Sequence, residues 1–207
     1  EQFGDQLDAS KSKEFLGFIS KNSKILQDII EDLLVLFQAD EGRIHLQKSM
    51  VNVSDVIDYL LTSLALKLDE KDIFIDKDIA ENLDIYVDKK RIMQVFRIII
   101  DNAVKFSSQG GTITIIALEH YSGEYNPSNY QGTLFEIKDE GIGIEKKDLP
   151  HIFERFYRAS NANEIKGTGL GLSIAKELIN LHGGDIFVRS KVGTGTSFFI
   201  FIPEKKI

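Results

Sequence analysis

The chain has 207 residues, of which 43% are hydrophobic and 28% are charged, a composition typical of one or two soluble globular domains. Its formal net charge of −7 disfavours binding to nucleic acid or to anionic membranes. The absence of cysteine excludes disulfides, cysteine-ligated zinc and thiol catalysis. No apolar run approaches the roughly 18 residues of a membrane-spanning helix, and because the sequence does not begin with Met, we expect a piece of a longer protein.

Residues 11–41 predict one long helix with a wide apolar stripe. A heptad seam of alternating four- and three-residue steps comprises Phe15, Ile19, Asn22, Leu26, Ile29, Leu33 and Leu36. The stripe is widened beyond a two-stranded seam by Leu16, Ile30, Leu34 and Phe37, which favours a four-helix bundle. The stripe is explained either by dimerisation, with Asn22 setting the register, or by packing on the chain's own domain. We favour the dimer.

The rest of the chain mixes predicted strands and helices. Helices are expected at 55–69, with Ser54 as N-cap, and at 89–106, 147–154 and 170–181. Strands are expected at 51–54, 73–76, 84–87, 112–118, 133–138, 185–190 and 196–202, with a long exposed loop at 119–132. This order predicts an α+β fold, in which an antiparallel or mixed sheet carries helices on one face.

Helix 89–106 carries the first segment with unusual chemistry. Its expected core face consists of Ile92, Val95, Ile99, Ala103 and Phe106. Asn102 and Lys105 lie on the opposite face. An Asn amide oxygen can bind Mg²⁺, and a Lys one turn later can reach phosphate oxygens. Taken alone, the pattern is more often an exposed polar helix face.

The second segment is Asp139-Glu140-Gly141-Ile142-Gly143, which begins where a predicted strand ends. A buried carboxylate there can accept a hydrogen bond from the amino group of adenine, whereas guanine has a carbonyl at that position. The two glycines allow the backbone to approach a flat ring closely. An ordinary glycine-rich turn explains the segment equally well.

The third segment, Gly167-Thr168-Gly169-Leu170-Gly171-Leu172, opens a predicted helix. Glycine backbone and the free N–H groups of a helix N-terminus form an anion site. Three cations precede the segment, Arg155, Arg158 and Lys166, and with Lys105 they form a positive group in an acidic chain. That contrast favours a polyphosphate such as ATP, and a solvated charged loop is the alternative.

Five stretches, taken together and in this order, resemble the cytoplasmic core of a sensor histidine kinase over residues 11–207: RIMQVFRIIIDNAVKFS, DEGIGI, IFERFYR, GTGLGLSIAKELINLHGG and GTGTSFFIFIP. The ATP-binding fold is shared with gyrase B, Hsp90 and MutL, but IFERFYR and the heptad helix point to kinases. The resemblance implies a two-layer α/β sandwich of the GHKL type, preceded by a long helix of a dimeric four-helix bundle. It divides the chain into a partial dimerisation region, 1–47, and an ATP-binding domain, 48–207.

The resemblance also implies roles for individual residues. Asn102, Lys105 and Arg158 would be catalytic, with Asn102 binding Mg²⁺, Lys105 holding phosphate and Arg158 stabilising the transferring phosphoryl group. Asp139 would bind the adenine amino group, supported by Thr196 through a water. The remaining ATP-binding positions would be Gly141, Gly143, Tyr157, Lys166, Gly167, Thr168, Gly169, Leu170 and Gly171. Residues 157–168 would form a mobile lid, anchored by Phe153 and Phe156.

Two departures from the kinase pattern shape the functional prediction. The phosphoacceptor motif is absent, because none of His45, His120, His151 and His182 has its sequence context. His182 is expected to cap a helix, and the other three to lie on the surface. Ile98 stands where kinases usually have Asn and gyrase or Hsp90 has Glu, and Ile can neither bind Mg²⁺ nor act as a base.

We therefore expect the Mg²⁺-ATP-binding part of a dimeric, cytoplasmic histidine kinase that phosphorylates a histidine upstream of Glu1. The dimer would form through residues 11–41, a response regulator would be the partner, and this part would contact neither nucleic acid nor membrane. Ile98 favours a second hypothesis, a pseudokinase that binds nucleotide without transfer. A hydrolysing ATPase of the gyrase or Hsp90 type is disfavoured, since Glu is absent at position 98.

Overall fold

Four α-helices and seven strands form the regular structure of residues 9–127, 130–162, 165 and 167–204, the part of the chain that the computed structural model describes. In chain order the elements are α1 (Ala9–Asp40), β1 (Lys48–Asn52), α2 (Val53–Glu70), β2 (Phe74–Asp78), β3 (Asp84–Asp88), α3 (Lys89–Phe106), β4 (Thr112–Tyr121), β5 (Gly132–Asp139), a one-turn 3-10 helix (Ser160–Ala162), α4 (Gly171–Leu181), β6 (Asp185–Lys191) and β7 (Gly195–Pro203). Every predicted strand is present, with ends shifted by a few residues.

The main sheet is mixed, and α2, α3 and α4 pack on one of its faces. Its strand order is β2-β4-β5-β7-β6, with β2 parallel to β4 and the other neighbours antiparallel. β1 and β3 form a separate antiparallel pair. Ile200 faces the helices, whereas Phe199 and Phe201 belong to a smaller cluster on the other face, as the two-residue period of a strand requires. The predicted α+β two-layer architecture is confirmed.

α3 is held at both ends and along its apolar side. The Asp88 carboxylate caps its N-terminus by accepting from the N–H of Arg91 at 3.1 Å. Along its length, Phe96 packs edge-on against Phe135 of β5 at 5.0 Å between ring centroids. At its C-terminal end, Lys71 Nζ donates to the carbonyls of Val104, Lys105 and Ser107 at 3.0, 2.8 and 3.1 Å, which satisfies groups that a helix end leaves open.

His182 joins the end of α4 to the start of α3. It is the C-cap of α4, as predicted. Its Nδ1 donates to the Leu178 carbonyl at 2.7 Å, and its Nε2 accepts from the Asp88 N–H at 3.1 Å. Burial lowers the pKa of His182, so the imidazole stays neutral, the form that this pair of hydrogen bonds requires.

Two predictions are wrong, namely a helix at 147–154 and the N-cap of α2. Residues 147–154 form successive turns and not a helix, with hydrogen bonds from the N–H groups of Asp148, His151 and Glu154 to the carbonyls three residues earlier. Pro150 has no N–H and interrupts any helical ladder there. The N-cap of α2 is Asn52, whose side chain accepts from the Asp55 N–H at 3.0 Å, and not Ser54.

The predicted exposed loop 119–132 is in part ordered on the sheet. β4 continues into it as far as Tyr121. Tyr125 is half-buried and stacks on Phe199 at 4.1 Å between ring centroids. The segment therefore covers the sheet face opposite to the helices.

α1 contacts the rest of the chain through only part of its stripe. Leu36 is 2% exposed within the main core, and Ile29 and Val35 pack partly against that core. Most of the stripe remains exposed, as does the neighbouring Phe18: Phe15, Leu16, Ile19, Leu26, Ile30, Leu33, Leu34 and Phe37. Packing on the chain's own domain thus accounts for one side of the helix and leaves a long apolar surface uncovered.

None of the helices in the described ranges combines the length and the apolar content that crossing a bilayer requires.

Candidate functional site

One cleft brings the three predicted segments together. It has a volume of about 260 Å³ and lies between α3, the turn after β5 and the start of α4. The predicted site residues that line it are Asn102, Lys105, Asp139, Gly143, Tyr157, Arg158, Gly167, Thr168, Gly169, Gly171 and Thr196. Gly141 and Leu170 are instead buried beneath the lining, and Lys166 lies outside the described residues.

Asp139 is a buried acceptor that lines the cleft and is 4% exposed. Its Oδ1 accepts from the backbone N–H groups of Gly141 at 2.9 Å and Thr196 at 3.3 Å. Burial raises the pKa of Asp139 to about 6, although both hydrogen bonds act to lower it. Among the described residues, none donates a hydrogen bond to Oδ2. The carboxylate is therefore positioned but incompletely satisfied, so a donor in the cleft would stabilise its charged form.

Gly143 and Gly167 show two different reasons for glycine at this site. Gly143 has a φ of +69°, and a Cβ there would overlap the carbonyl of Lys191. Crowding by the protein's own backbone thus explains Gly143 without a ligand. A Cβ at Gly167 would lie 2.8 Å from Lys105 Nζ, so this glycine makes room for a cation.

Lys105 and Arg158 give the cleft a positively charged part. Lys105 is half-buried, and its Nζ lies 5.0 Å from the ring centroid of Phe106. Burial lowers the pKa of Lys105, and the charge of Arg158 lowers it further while Asp101 raises it. Among the described side chains, none caps the N-terminus of α4, so its first N–H groups lack an acceptor from a cap. The arrangement suits an anionic group.

Phe106, predicted to belong to the core face of α3, lines the cleft and is only half-buried. Ile98 also lines it, beside the first residue of α4: a Cβ on Gly171 would lie 3.2 Å from its side chain. The cleft thus has apolar walls around its few polar groups, as small-molecule sites usually do.

Asn102, the residue predicted to bind magnesium, is one of the cleft's polar groups. Its half-buried side chain lines the cleft next to Asp101, whose carboxylate is paired with Lys67 at 2.5 Å. Within the described part of the chain there is no cluster of three or more His, Cys, Asp or Glu side chains that could enclose a metal ion. One amide oxygen is compatible with Mg²⁺ when water and phosphate oxygens complete its coordination.

Asp148 holds the start of the predicted lid through hydrogen bonds, and the sequence did not predict this role. This buried carboxylate accepts from the Tyr157 hydroxyl, the Ser160 N–H and the Ser160 hydroxyl, each at 2.8 Å. The hydrogen bonds from the backbone and hydroxyl of Ser160 hold the pKa of Asp148 below its ordinary value. Residues 157–162 therefore form a hydrogen-bonded segment and not a loose loop. No sequence period marks Asp148, because its partners lie 9 and 12 residues further along the chain.

Arg158 and the two predicted lid anchors have different environments. Arg158 Nη2 donates to the lid carbonyls of Ala162 at 2.8 Å and Ile165 at 2.6 Å. Phe153 packs edge-on against Phe198 at 6.4 Å between centroids, as an anchor would. The Phe156 side chain is 61% exposed, so its predicted role as an anchor is wrong. Only its backbone N–H bonds to the other side of the lid, at the Gly169 carbonyl, 2.9 Å away.

α1 makes two contacts at or beside the site that the sequence did not reveal. Arg155, predicted to join the cations of the cleft, instead forms a two-pronged ion pair with Asp40 at 2.6 and 2.8 Å. Asp32 lines the cleft from α1. Burial raises the pKa of Asp32, and the charges of Asp28 and Glu31 raise it further.

One protein family and several sensor proteins are similar to this chain in sequence. Residues 87–206 match the family described as "Histidine kinase-, DNA gyrase B-, and HSP90-like ATPase". The sensor histidine kinase WalK of Bacillus subtilis is 32% identical over 194 residues, which cover 93% of this chain and 31% of WalK. Drug sensory protein A of Synechocystis is 33% identical over 201 residues, covering 96% of this chain and 30% of the relative. The chain thus spans under a third of the length of either relative.

Solved structures share the fold. The catalytic domain of histidine kinase ThkA is 25% identical, with a TM-score of 0.64 over 76% of this chain and 96% of that one. Full-length ShkA, solved in complex with AMPPNP, is 22% identical, with a TM-score of 0.77 over 98% of this chain and 40% of that one. ThkA has also been solved with the response regulator protein TrrA, at 22% identity and a TM-score of 0.70, over 97% of this chain and 53% of that one.

Proposed function

The chain belongs to the histidine kinase-, DNA gyrase B- and HSP90-like ATPase family, and we propose that it is the part of a sensor histidine kinase that binds Mg²⁺-ATP and presents the γ-phosphate to a histidine. The observation that carries this proposal is one cleft lined by a buried carboxylate acceptor and by a half-buried cation, next to a helix N-terminus that no described side chain caps.

Asp139 would select the base. Its Oδ1 is occupied by two backbone donors, and Oδ2 remains for the amino group of adenine. Guanine would place a carbonyl oxygen against the same carboxylate, and two acceptors repel. A hydrogen bond between the charged carboxylate and an amino group is stronger than one between neutral groups.

Lys105, Arg158 and the first N–H groups of α4 would hold the phosphates. Arg158 already lines the cleft, but its Nη2 binds the carbonyls of Ala162 and Ile165. If Nη2 turned to the γ-phosphate, it would exchange these carbonyls for phosphate oxygens, which would couple the lid to the nucleotide. Asn102 would contribute its amide oxygen to Mg²⁺, which when bound neutralises phosphate charge.

The acceptor histidine would come from a segment outside this chain. His182 is buried and bonded through both ring nitrogens, whereas His120 and His151 pair with Glu204 and Glu154 at the surface. In the transfer, an imidazole nitrogen would bond to the γ-phosphorus while the bond to the bridging oxygen breaks and ADP leaves. Positioning and charge stabilisation supply most of the catalysis in such reactions.

The other parts of the proposal follow from α1 and from the relatives. The exposed stripe of α1 would form a homodimeric four-helix bundle, which makes 1–47 a partial dimerisation region and 48–207 the ATP-binding domain. A response regulator would receive the phosphoryl group, as the pairing of ThkA with TrrA suggests. The chain would lie in the cytoplasmic part of a membrane-anchored sensor, since the relatives include sensor kinases about three times its length.

Ile98 favours one alternative, a module that binds nucleotide without transfer. It lines the cleft one turn before Asn102, where its side chain can serve neither as a metal ligand nor as a base. Transfer to a histidine would separate the two functions.

The test is incubation with γ-labelled ATP, with and without the separate acceptor hairpin of the same protein. We expect no label on the chain alone, and base-stable, acid-labile label on the hairpin. Arg158→Ala should slow transfer more than it weakens ATP binding, because its charge matters most as the phosphoryl group moves. Arg97→Ala, an exposed arginine on α3, is the matched control.

Acid-labile label on the chain alone would contradict the external acceptor. ATP binding without transfer to the hairpin would favour the binding module.

A further inference from the structure

Asn161 presents a buried acceptor that the protein leaves unused. Its Nδ2 donates to the Gly143 carbonyl at 2.8 Å. Its Oδ1 is buried and receives no hydrogen bond from the described residues. Asn161 lines the cleft together with Asp139 and Gly143. Buried polar atoms are nearly always paired in folded proteins, so an unpaired one at a binding site points to a missing donor.

The orientation of this amide is fixed by its neighbour. If the amide were turned by 180°, Oδ1 would face the Gly143 carbonyl, and two acceptors would meet without a hydrogen between them. The atom left without a partner is therefore the acceptor oxygen. A ligand can satisfy it only by donating a hydrogen bond.

The position of Asn161 is imposed by the surrounding segment. It lies in the one-turn helix Ser160–Ala162. Asp148 holds the start of this turn through the N–H and hydroxyl of Ser160, and Arg158 holds its end through the Ala162 carbonyl at 2.8 Å. The free acceptor is thus preorganised before a ligand arrives, which is how binding sites avoid the cost of ordering a side chain.

The chemistry of ATP limits the donor to its nucleoside half. The triphosphate carries acceptors, whereas the adenine amino group has two hydrogens and the ribose has two hydroxyls. Asp139 would take one amino hydrogen. The second amino hydrogen or a ribose hydroxyl is left for an acceptor near Gly143, which follows Asp139 by four residues in the turn after β5.

We propose that Asn161 is a specificity-determining residue whose Oδ1 accepts a hydrogen bond from the nucleoside of bound ATP. The inference rests on the proposed function and extends it, since it makes the lid segment part of nucleoside recognition. Binding would then join the turn after β5 and the start of the lid through one side chain, by way of the Gly143 carbonyl on one side and the nucleoside on the other.

The test compares wild type, Asn161→Ala and Ser160→Ala by calorimetric titration with ATP, 2′-deoxy-ATP, 3′-deoxy-ATP and N6-methyl-ATP in the presence of Mg²⁺. Asn161→Ala should weaken ATP binding about five- to tenfold, the effect of losing one hydrogen bond. One analogue, the one that lacks the donor used by Asn161, should bind wild type more weakly than ATP does. That difference should disappear in Asn161→Ala.

Ser160→Ala is the matched control, because it removes one hydrogen bond to Asp148 and loosens the same turn while the acceptor stays in place. It should leave the ratio of ATP to analogue affinity at the wild-type value. The deoxy analogues identify a ribose hydroxyl as the donor, and N6-methyl-ATP identifies the amino group.

Unchanged ratios for all three analogues in Asn161→Ala would overturn the inference, even if ATP binding were weakened overall. Failure of the proposed function looks different, because wild type would then bind no ATP, or Asp139→Asn would bind it as tightly as wild type does.

Discussion

Replacing Asp139 by Asn should make the unliganded protein more stable while it weakens ATP binding. The substitution preserves shape, and the Asn oxygen can still accept from the N–H groups of Gly141 and Thr196. It removes a carboxylate that burial disfavours, since burial raises the pKa of Asp139 from 3.8 to about 6. At about 1.4 kcal/mol per pH unit, this difference corresponds to about 3 kcal/mol.

The sign of the effect depends on pH. Between pH 3.8 and about 6 the folded protein binds a proton at Asp139 that the unfolded chain has released. The free energy of unfolding therefore falls as pH rises through this window, and the full cost is present above pH 6. Asp139→Asn should gain up to about 3 kcal/mol over wild type at pH 7.5. The gain should shrink towards zero near pH 4.

Urea unfolding of both proteins between pH 4 and 8, without nucleotide, measures this difference. Groups other than Asp139 titrate in both proteins and cancel. A variant that is less stable than wild type at pH 7.5, or whose stability changes with pH as that of wild type does, would refute the reasoning.

ATP binding should depend on pH in the opposite direction to the stability of the unliganded protein. A donor in the cleft favours the charged carboxylate, so ATP affinity of wild type should rise as pH increases through about 6 and then level off. In Asp139→Asn the affinity should be at least tenfold lower at pH 7.5, because a charge-assisted hydrogen bond is lost. The variant should keep only the pH dependence of ATP itself, which titration of both proteins in the same buffers would reveal.

Three further variants test other parts of the structure. Leu26→Asp with Leu33→Asp should give a monomer that still binds ATP, measured by sedimentation and titration, because both residues lie on the exposed stripe of α1. Asp40→Asn should break the ion pair with Arg155 and speed hydrogen exchange in the turns at 146–156. Gly143→Ala should lower the melting temperature strongly, since its φ is +69° and a Cβ would overlap neighbouring backbone.

Each of these variants has a matched control. The control for the double variant of α1 is Lys24→Asp, which changes charge elsewhere on the exposed surface of that helix. The control for Asp40→Asn is Glu41→Gln, which removes a neighbouring carboxylate that pairs with Arg43. Gly110→Ala places alanine at another positive φ, +72°, but in open space. The dimer prediction would be contradicted if wild type were a monomer at high micromolar concentration. The ion-pair prediction would be contradicted if hydrogen exchange were equally fast in Asp40→Asn and Glu41→Gln. The glycine prediction would be contradicted if the two alanine variants had the same melting temperature.

The parts of the site that were predictable from sequence are those encoded by local patterns. The helical period placed Asn102 and Lys105 on the side of α3 away from its core, and both line the cleft. Asp139 followed from a strand that ends before two glycines, and it is buried at the end of β5. The 3.6-residue and two-residue periods carry this information because each is fixed by backbone geometry.

The missed features depend on contacts between distant residues. Asp148 is an ordinary surface acid by sequence, and only the folding back of Tyr157 and Ser160 buries it. Arg155 looked like a phosphate ligand because Asp40, 115 residues earlier, is invisible to local charge counting. Asn161 gave no signal at all, because its unpaired atom is defined by the orientation of one amide beside Gly143.

The central claim is that the cleft binds ATP and selects adenine through Asp139. Calorimetric titration of the 207-residue chain with ATP and with GTP, both in Mg²⁺, tests it most directly. We expect one ATP site per chain, at least tenfold weaker binding of GTP, and loss of that preference in Asp139→Asn. GTP binding as tight as that of ATP, or an undiminished preference in the variant, would contradict the claim.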